Sequence, residues 1–146
     1  MRIIKLSQKD PDMKNKDAVK LFFQAKLFER NPQGKFLLTK GRISKNGLES
    51  GELLIFSYKS AIVYLGLVKN GRQQNKGMDS YDYPFYFCVD VNSIVPGKGY
   101  LKNLEYELDQ IGLLEKNIEK SQGWPIVSES PETKNKIKKV WNKFVK

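Results

Sequence analysis

The chain has 146 residues, 40% of them hydrophobic, which is enough apolar material for one core and too little chain for two ordinary domains. Histidine is absent and Cys88 is the one cysteine, which excludes an intramolecular disulfide, a multi-thiolate metal cluster and catalysis by a Ser-His or Cys-His pair. A formal charge of +10 works against a bare divalent-cation site and points to a polyanionic partner, the alternative being a lysine-rich solvated surface.

No run approaches the roughly 18 consecutive apolar residues of a membrane span. Residues 1–6 start basic but lack the apolar stretch and cleavage site of a signal peptide. The expectation is one domain over residues 1–146, cytoplasmic, without membrane contact and without a cofactor.

In chain order, Ile3, Ile4 and Leu6 predict a first strand, ended by the polar, proline-containing stretch 7–16. Asp17 is placed to cap a helix in which Ala18, Leu21, Phe22, Ala25 and Phe28 recur at helical spacing, with Val19, Phe23 and Leu27 widening the apolar face. Asn31-Pro32-Gln33-Gly34 ends it, since proline cannot continue the helix and glycine readily takes positive φ. Residues 35–47 are basic and irregular, and no more than a loop or a short extended segment is expected there.

A turn at 47–51 opens the strongest β signal, two apolar runs over 52–58 and 61–68 joined at Lys59-Ser60 as a hairpin. Gly66 in the second run predicts a bulge or a close backbone approach. Residues 69–80 are polar and glycine-punctuated, predicting a long mobile loop that carries Lys69, Arg72 and Lys76. A strand over 83–91 places Phe85, Phe87, Val89 and Val91 on one face and Tyr86, Cys88 and Asp90 on the other.

Pro96-Gly97-Lys98-Gly99 stops that strand, and Leu101, Leu104, Leu108 and Ile111 predict an amphipathic helix ended near Gly112. A second short helix is expected over 113–120, and an extended segment over 124–127, because Pro125 pushes Trp124 out of the α region. Ser130 as cap and Pro131 in the first turn begin a terminal helix with Ile137, Val140, Trp141, Phe144 and Val145 on one stripe. The class is α+β.

The segment 43–58, with Leu48, Gly51, Glu52, Phe56 and Tyr58, followed by 62–68 with Gly66, resembles the central hairpin of PUA-like domains, and within them the EVE branch. The resemblance covers about a quarter of the chain. It implies a curved, mostly antiparallel β-barrel or sheet with flanking helices, DNA or RNA binding, and a base, often modified, swung into a pocket. EVE domains carry tryptophan near the first strand and before the hairpin, where this chain has Ile3-Ile4 and Phe36, so their aromatic pocket does not transfer residue by residue.

Backbone phosphates need charge and donors without fixed geometry, which makes Arg42, Lys45, Lys69, Arg72 and Lys76 the nucleic-acid-binding candidates, each with the alternative of a separate solvated charge. Arg42 and Arg72 lead, because a guanidinium grips phosphate with two bonds. Tyr81, Tyr83 and Tyr86 beside the basic loop are candidates for a base pocket, whereas alternation sends Phe85 and Phe87 to the core. Trp124 either walls the pocket or covers an end of the barrel.

Trp141 belongs to the core, and the lysines around it, from Lys134 to Lys146, have a structural reason in the helix dipole. No lysine stands where it would complete a nuclease site with Asp79, Asp82 or Asp90, and Cys88 reads as a small buried apolar group. The expectation is therefore a non-enzymatic nucleic-acid reader, with a metal-dependent nuclease as the remote alternative. The other alternative is a protein-interaction module of a defence, counter-defence or mobile-element system, with an acidic or nucleoprotein partner.

Overall fold

This computed structural model describes residues 1–27, 33–39 and 47–146. They build strands β1 (Arg2–Leu6), β2 (Lys35–Leu38), β3 (Leu53–Tyr58), β4 (Ala61–Gln74), β5 (Phe85–Val89) and β6 (Val95–Pro96), and helices α1 (Lys16–Leu21), α2 (Leu101–Gln110) and α3 (Lys134–Asn142). The strands form one mixed sheet in the order β1-β3-β4-β5-β2, with β6 on β4. It curls into a half-barrel. Only the β1 and β3 pairing is parallel among the described strands.

The hairpin expected at Lys59-Ser60 forms there. Both residues take positive φ, 49° and 66°, the hand that suits the twist of the flanking strands in a two-residue turn. Alternation then sorts the side chains. Leu54, Phe56 and Tyr58 of β3, Ile4 of β1, and Phe87 and Val89 of β5 point into the curl, where Val19, Phe23 and Leu27 fill it. Phe23 stacks on Tyr64 at 4.4 Å and meets Phe56 edge-on at 4.9 Å.

Ile3, Leu53, Ile55, Ile62 and Leu65 point the other way, into a second core with Leu101, Leu104 and Leu108 of α2 and Ile137, Val140 and Trp141 of α3. The Trp141 indole N–H donates to the Leu54 carbonyl at 2.9 Å, which satisfies a polar group inside that core. Segment 124–127 is extended as expected and lies along β1, with Ile3 N donating to Pro125 O and Val127 N to Met1 O.

Several expectations change. Asn15, two residues before Asp17, caps α1 by accepting from Ala18 N at 2.8 Å, and the helix widens into a π-helical turn over Phe22–Lys26. Phe28, Asn31 and Pro32 lie outside the described residues. Of the two alternatives open for residues 35–47, the short extended segment forms at Lys35–Leu38 as β2, because β5 supplies its partner. Residues 113–120 form turns and no helix, held by Leu113 N on Leu108 O, Glu119 N on the Glu105 carboxylate and Lys5 on Glu119 O.

Gly66 marks a close approach: a Cβ there would stand 3.0 Å from Ile94 Cδ1 and 3.4 Å from Ser93 Oγ, the latter accepting from Leu67 N at 2.8 Å. Ser130 Oγ takes the Thr133 N–H one turn before α3 becomes regular.

Removing the indole tests the second core. Trp141→Phe should cost about 0.5–1.5 kcal/mol by removing the hydrogen bond to the Leu54 carbonyl, and Trp141→Ala about 3–5 kcal/mol. Urea denaturation measures both, and equal losses would contradict the hydrogen bond's part.

Candidate nucleic-acid interface

The convex side of the sheet is divided along β4. Over β1, β3 and the first half of β4 it is apolar and lies under α2 and α3. From Lys69 onward, and across β5 and β2, no described helix covers it. Two rows of side chains cross this bare part in register, Lys35 with Cys88 and Asn70, and Leu37 with Tyr86 and Gln73. Leu37, Tyr86 and Cys88 belong to neither core.

Those positions exist because β4 does not stop where its apolar pattern does. Residues 69–74, expected as a mobile loop, continue the strand and pair with β5, so Lys69 and Arg72 stand on a fixed ladder. Two register shifts, between Val68 and Asn70 and between Asn70 and Gln73, bend the strand there. At the bend Gly71 lets segment 48–50 cross closely: a Cβ would stand 2.9 Å from Leu48 O, which accepts from Arg72 N at 3.2 Å. Ser50 Oγ donates to Lys69 O at 2.7 Å.

The centre of the bare face is Tyr86. The Lys35 ammonium sits 4.3 Å from its ring centroid, and its hydroxyl donates to Gln73 Oε1 at 2.9 Å. The Arg72 guanidinium lies 5.5 Å from the Phe85 ring at the rim. Burial pushes the Cys88 thiol up, opposed by the charges of Lys35 and Lys69 and by a hydrogen bond with Asn70. Lys69, Asn70, Arg72, Gln73, Gln74 and Lys76 are exposed, and the sequence has no carboxylate between Glu52 and Asp79.

The hairpin tip beyond β4 is built around buried Asn75. Its amide donates to Asp79 Oδ1 at 2.9 Å and Tyr83 O at 2.7 Å, and its Oδ1 accepts from Gly77 N at 3.0 Å. Lys76 is exposed at the tip, as are Met78 and Tyr81, while Tyr83 is half-buried. Arg42 and Lys45 lie outside the described residues.

Trp124 stands apart from the tyrosines. It packs edge-on against Phe87 at 6.4 Å and lines a hollow of about 240 Å³ with Arg2, Ser121 and Gln122, so it both covers the core and walls a cavity. None of the described tyrosines lines this hollow, and it falls below the roughly 300 Å³ of ordinary ligand pockets. Buried Arg2 donates to Trp124 O at 2.9 Å; its pKa is lowered by burial, with Glu52 opposing. A wider hollow of about 590 Å³ carries Glu49, Glu52 and Glu129 beside Lys134. The Met1 ammonium there donates to Val127 O at 2.9 Å and Glu129 Oε1 at 3.0 Å.

The α3 lysines Lys134, Lys136, Lys138, Lys139 and Lys143 are all exposed, and Lys143 meets Glu107 at 2.7 Å. Such a surface pair contributes little. Among the described residues no three metal-ligating side chains gather into a potential metal site. Lys35, Asn70 and Gln73 are the site residues that sequence reading missed. The signal for Lys35 was its place beside Phe36-Leu37-Leu38, an apolar run as long as a short strand.

Asn75→Ala should cost about 1–3 kcal/mol by leaving buried backbone groups unpaired. Hydrogen exchange checks it: amides of residues 77–83 should exchange faster while those of β3 stay protected. No protein-family model matches the chain, and no curated protein or solved structure matches it either.

Proposed function

We propose that this domain is a PUA-like nucleic-acid reader that takes its ligand on the bare convex face of β4, β5 and β2. One observation carries the reading: cations and side-chain amides are exposed together on a rigid ladder, with no carboxylate in that stretch of chain. Phosphates are neutralised by Lys35 and Lys69 on that face and by Arg72 from its edge, where the guanidinium lies against Phe85, and counterion release supplies the affinity. The curled sheet with a strand and helix before the hairpin supports the PUA-like assignment. Because the Trp124 hollow has no tyrosine in its lining, insertion of a flipped or modified base is not part of this reading.

A second reading, a protein-interaction module, is favoured by the hairpin tip. Met78 is fully exposed at 106% and Tyr81 at 80%, next to Asp79 and Asp82, and exposed apolar side chains on an ordered turn suit a protein partner. A nucleoprotein would engage both the tip and the basic face.

Binding of labelled oligonucleotides across a salt series tests the first reading. Replacing Lys69 and Arg72 together by alanine should weaken binding and flatten the plot of log K against log salt by about 0.7–0.9 for each phosphate that is no longer neutralised. An unchanged slope would remove these residues from the interface. Met78→Ser with Tyr81→Ser should leave oligonucleotide affinity unaltered.

A further inference from the structure

The geometry of the bare face also bears on which form of nucleic acid it accepts, an inference that rests on the reading just proposed. A two-stranded β-ribbon can enter the major groove of duplex DNA, but β4 and β5 are not a free ribbon. β2 pairs along one side of β5, and segment 48–51 pairs along the far side of β4 through Gly51 N on Val68 O and Arg72 N on Leu48 O. Three strands about 4.8 Å apart already span roughly 10 Å between outer backbones, before segment 48–51 and the side chains are added, against a groove about 12 Å wide. The face is too broad to enter.

Tyr86 points the same way. A duplex keeps its base faces stacked on one another and offers an aromatic side chain nothing but phosphate and sugar. Unpaired bases present faces to stack and edges to bind. Tyr86 is partly exposed in the middle of the face, and its orientation is set beforehand by Gln73 at the hydroxyl, while the Lys35 ammonium over the ring moves to the backbone as a base stacks. A side chain already held in place loses little freedom on binding.

We infer that the ligand is an unpaired stretch of DNA or RNA. One base stacks on Tyr86. The exposed amides of Gln73 and Asn70 meet that base's edge, Lys35 and Lys69 follow the backbone across the face, and Arg72, which lies against Phe85, reaches it only from the edge of the sheet. The amides can donate and accept, so they favour some bases over others, whereas the ring and the cations accept any sequence.

The experiment measures anisotropy of labelled single-stranded DNA, single-stranded RNA and the corresponding duplexes with the full chain and its variants. Single strands should bind at least tenfold tighter than duplexes. Tyr86→Leu should lose about 5- to 150-fold of single-strand affinity with the salt slope unchanged, while Tyr86→Phe keeps most of it. Should Tyr86→Leu fold poorly, photo-crosslinking of the unmodified chain to an oligonucleotide bearing a halogenated uracil replaces it, and the crosslink should fall within β5 or Gln73. Duplex binding as tight as single-strand binding, or a crosslink confined to other segments, overturns this inference and leaves the nucleic-acid reading standing. Absence of binding to every oligonucleotide overturns the reading itself.

Discussion

The backbone ladder of β4 holds the two halves of the molecule together. It pairs with β3 from Ala61 to Leu67, with β6 at Tyr64 and Leu65, and with β5 from Val68 to Gln74. Before Val68 its residues feed apolar cores on both faces; after Val68 they are exposed and polar. Strand hydrogen bonds, unlike side-chain burial, do not depend on residue type, so a polar run can be fixed as firmly as an apolar one when its partner is fixed. β5 is such a partner, because Phe87 and Val89 anchor it in the curl.

Acidic side chains gather where the chain buries its first cations. The Met1 ammonium just before β1 and Arg2 in it are buried, and Lys5 is half-buried. Burial lowers the pKa of both Arg2 and Lys5, and carboxylates oppose it, Glu52 for Arg2 and Glu105 and Glu119 for Lys5. Glu129 and Glu52 serve Met1. Glu52, Glu105, Glu119 and Glu129 thus stand by β1, and residues 69–74 of β4 carry lysine, arginine, amides and Gly71 without a carboxylate.

Local patterns were legible wherever the side chains that pack come from the element itself. The stripes of α2 and α3, the alternation of β5 and the turn at Lys59-Ser60 are all of this kind. Residues 69–74 were not, because Asn70, Gly71, Gln73 and Gln74 have weak strand preferences that pairing with β5 overrides. At residues 35–47 a loop and a short extended segment stayed open for a similar reason, the partner of β2 being about fifty residues away in sequence. Residues 113–120 show the converse: helical spacing without a helix, since Asn117 turns its side chain onto Lys120 N and the loop is tied to β1 by Lys5. At the site, Lys69, Arg72 and Tyr86 were visible as residue types, whereas the grouping of Lys35, Tyr86 and Gln73 required the cross-strand register.

A curled sheet offers two places for a ligand, inside the curl and on its back. Inside, Phe23, Phe36, Phe56, Tyr64 and Phe87 spend their ring faces on one another, and Trp124 closes the end against Phe87. Opening that space would expose aromatic surface worth several kcal/mol, since each buried aromatic side chain contributes about 1.5–3 kcal/mol by transfer alone. On the back the loss is smaller, because Lys69, Asn70, Arg72, Gln73 and Gln74 of β4 are already exposed and Tyr86 is partly so, although Cys88 is buried. Tyr81, Tyr100 and Tyr106 are more exposed than Tyr86, yet exposure alone does not make a stacking platform. Tyr86 stands on a ladder, with its hydroxyl held by Gln73 and with lysine and amide side chains around its ring.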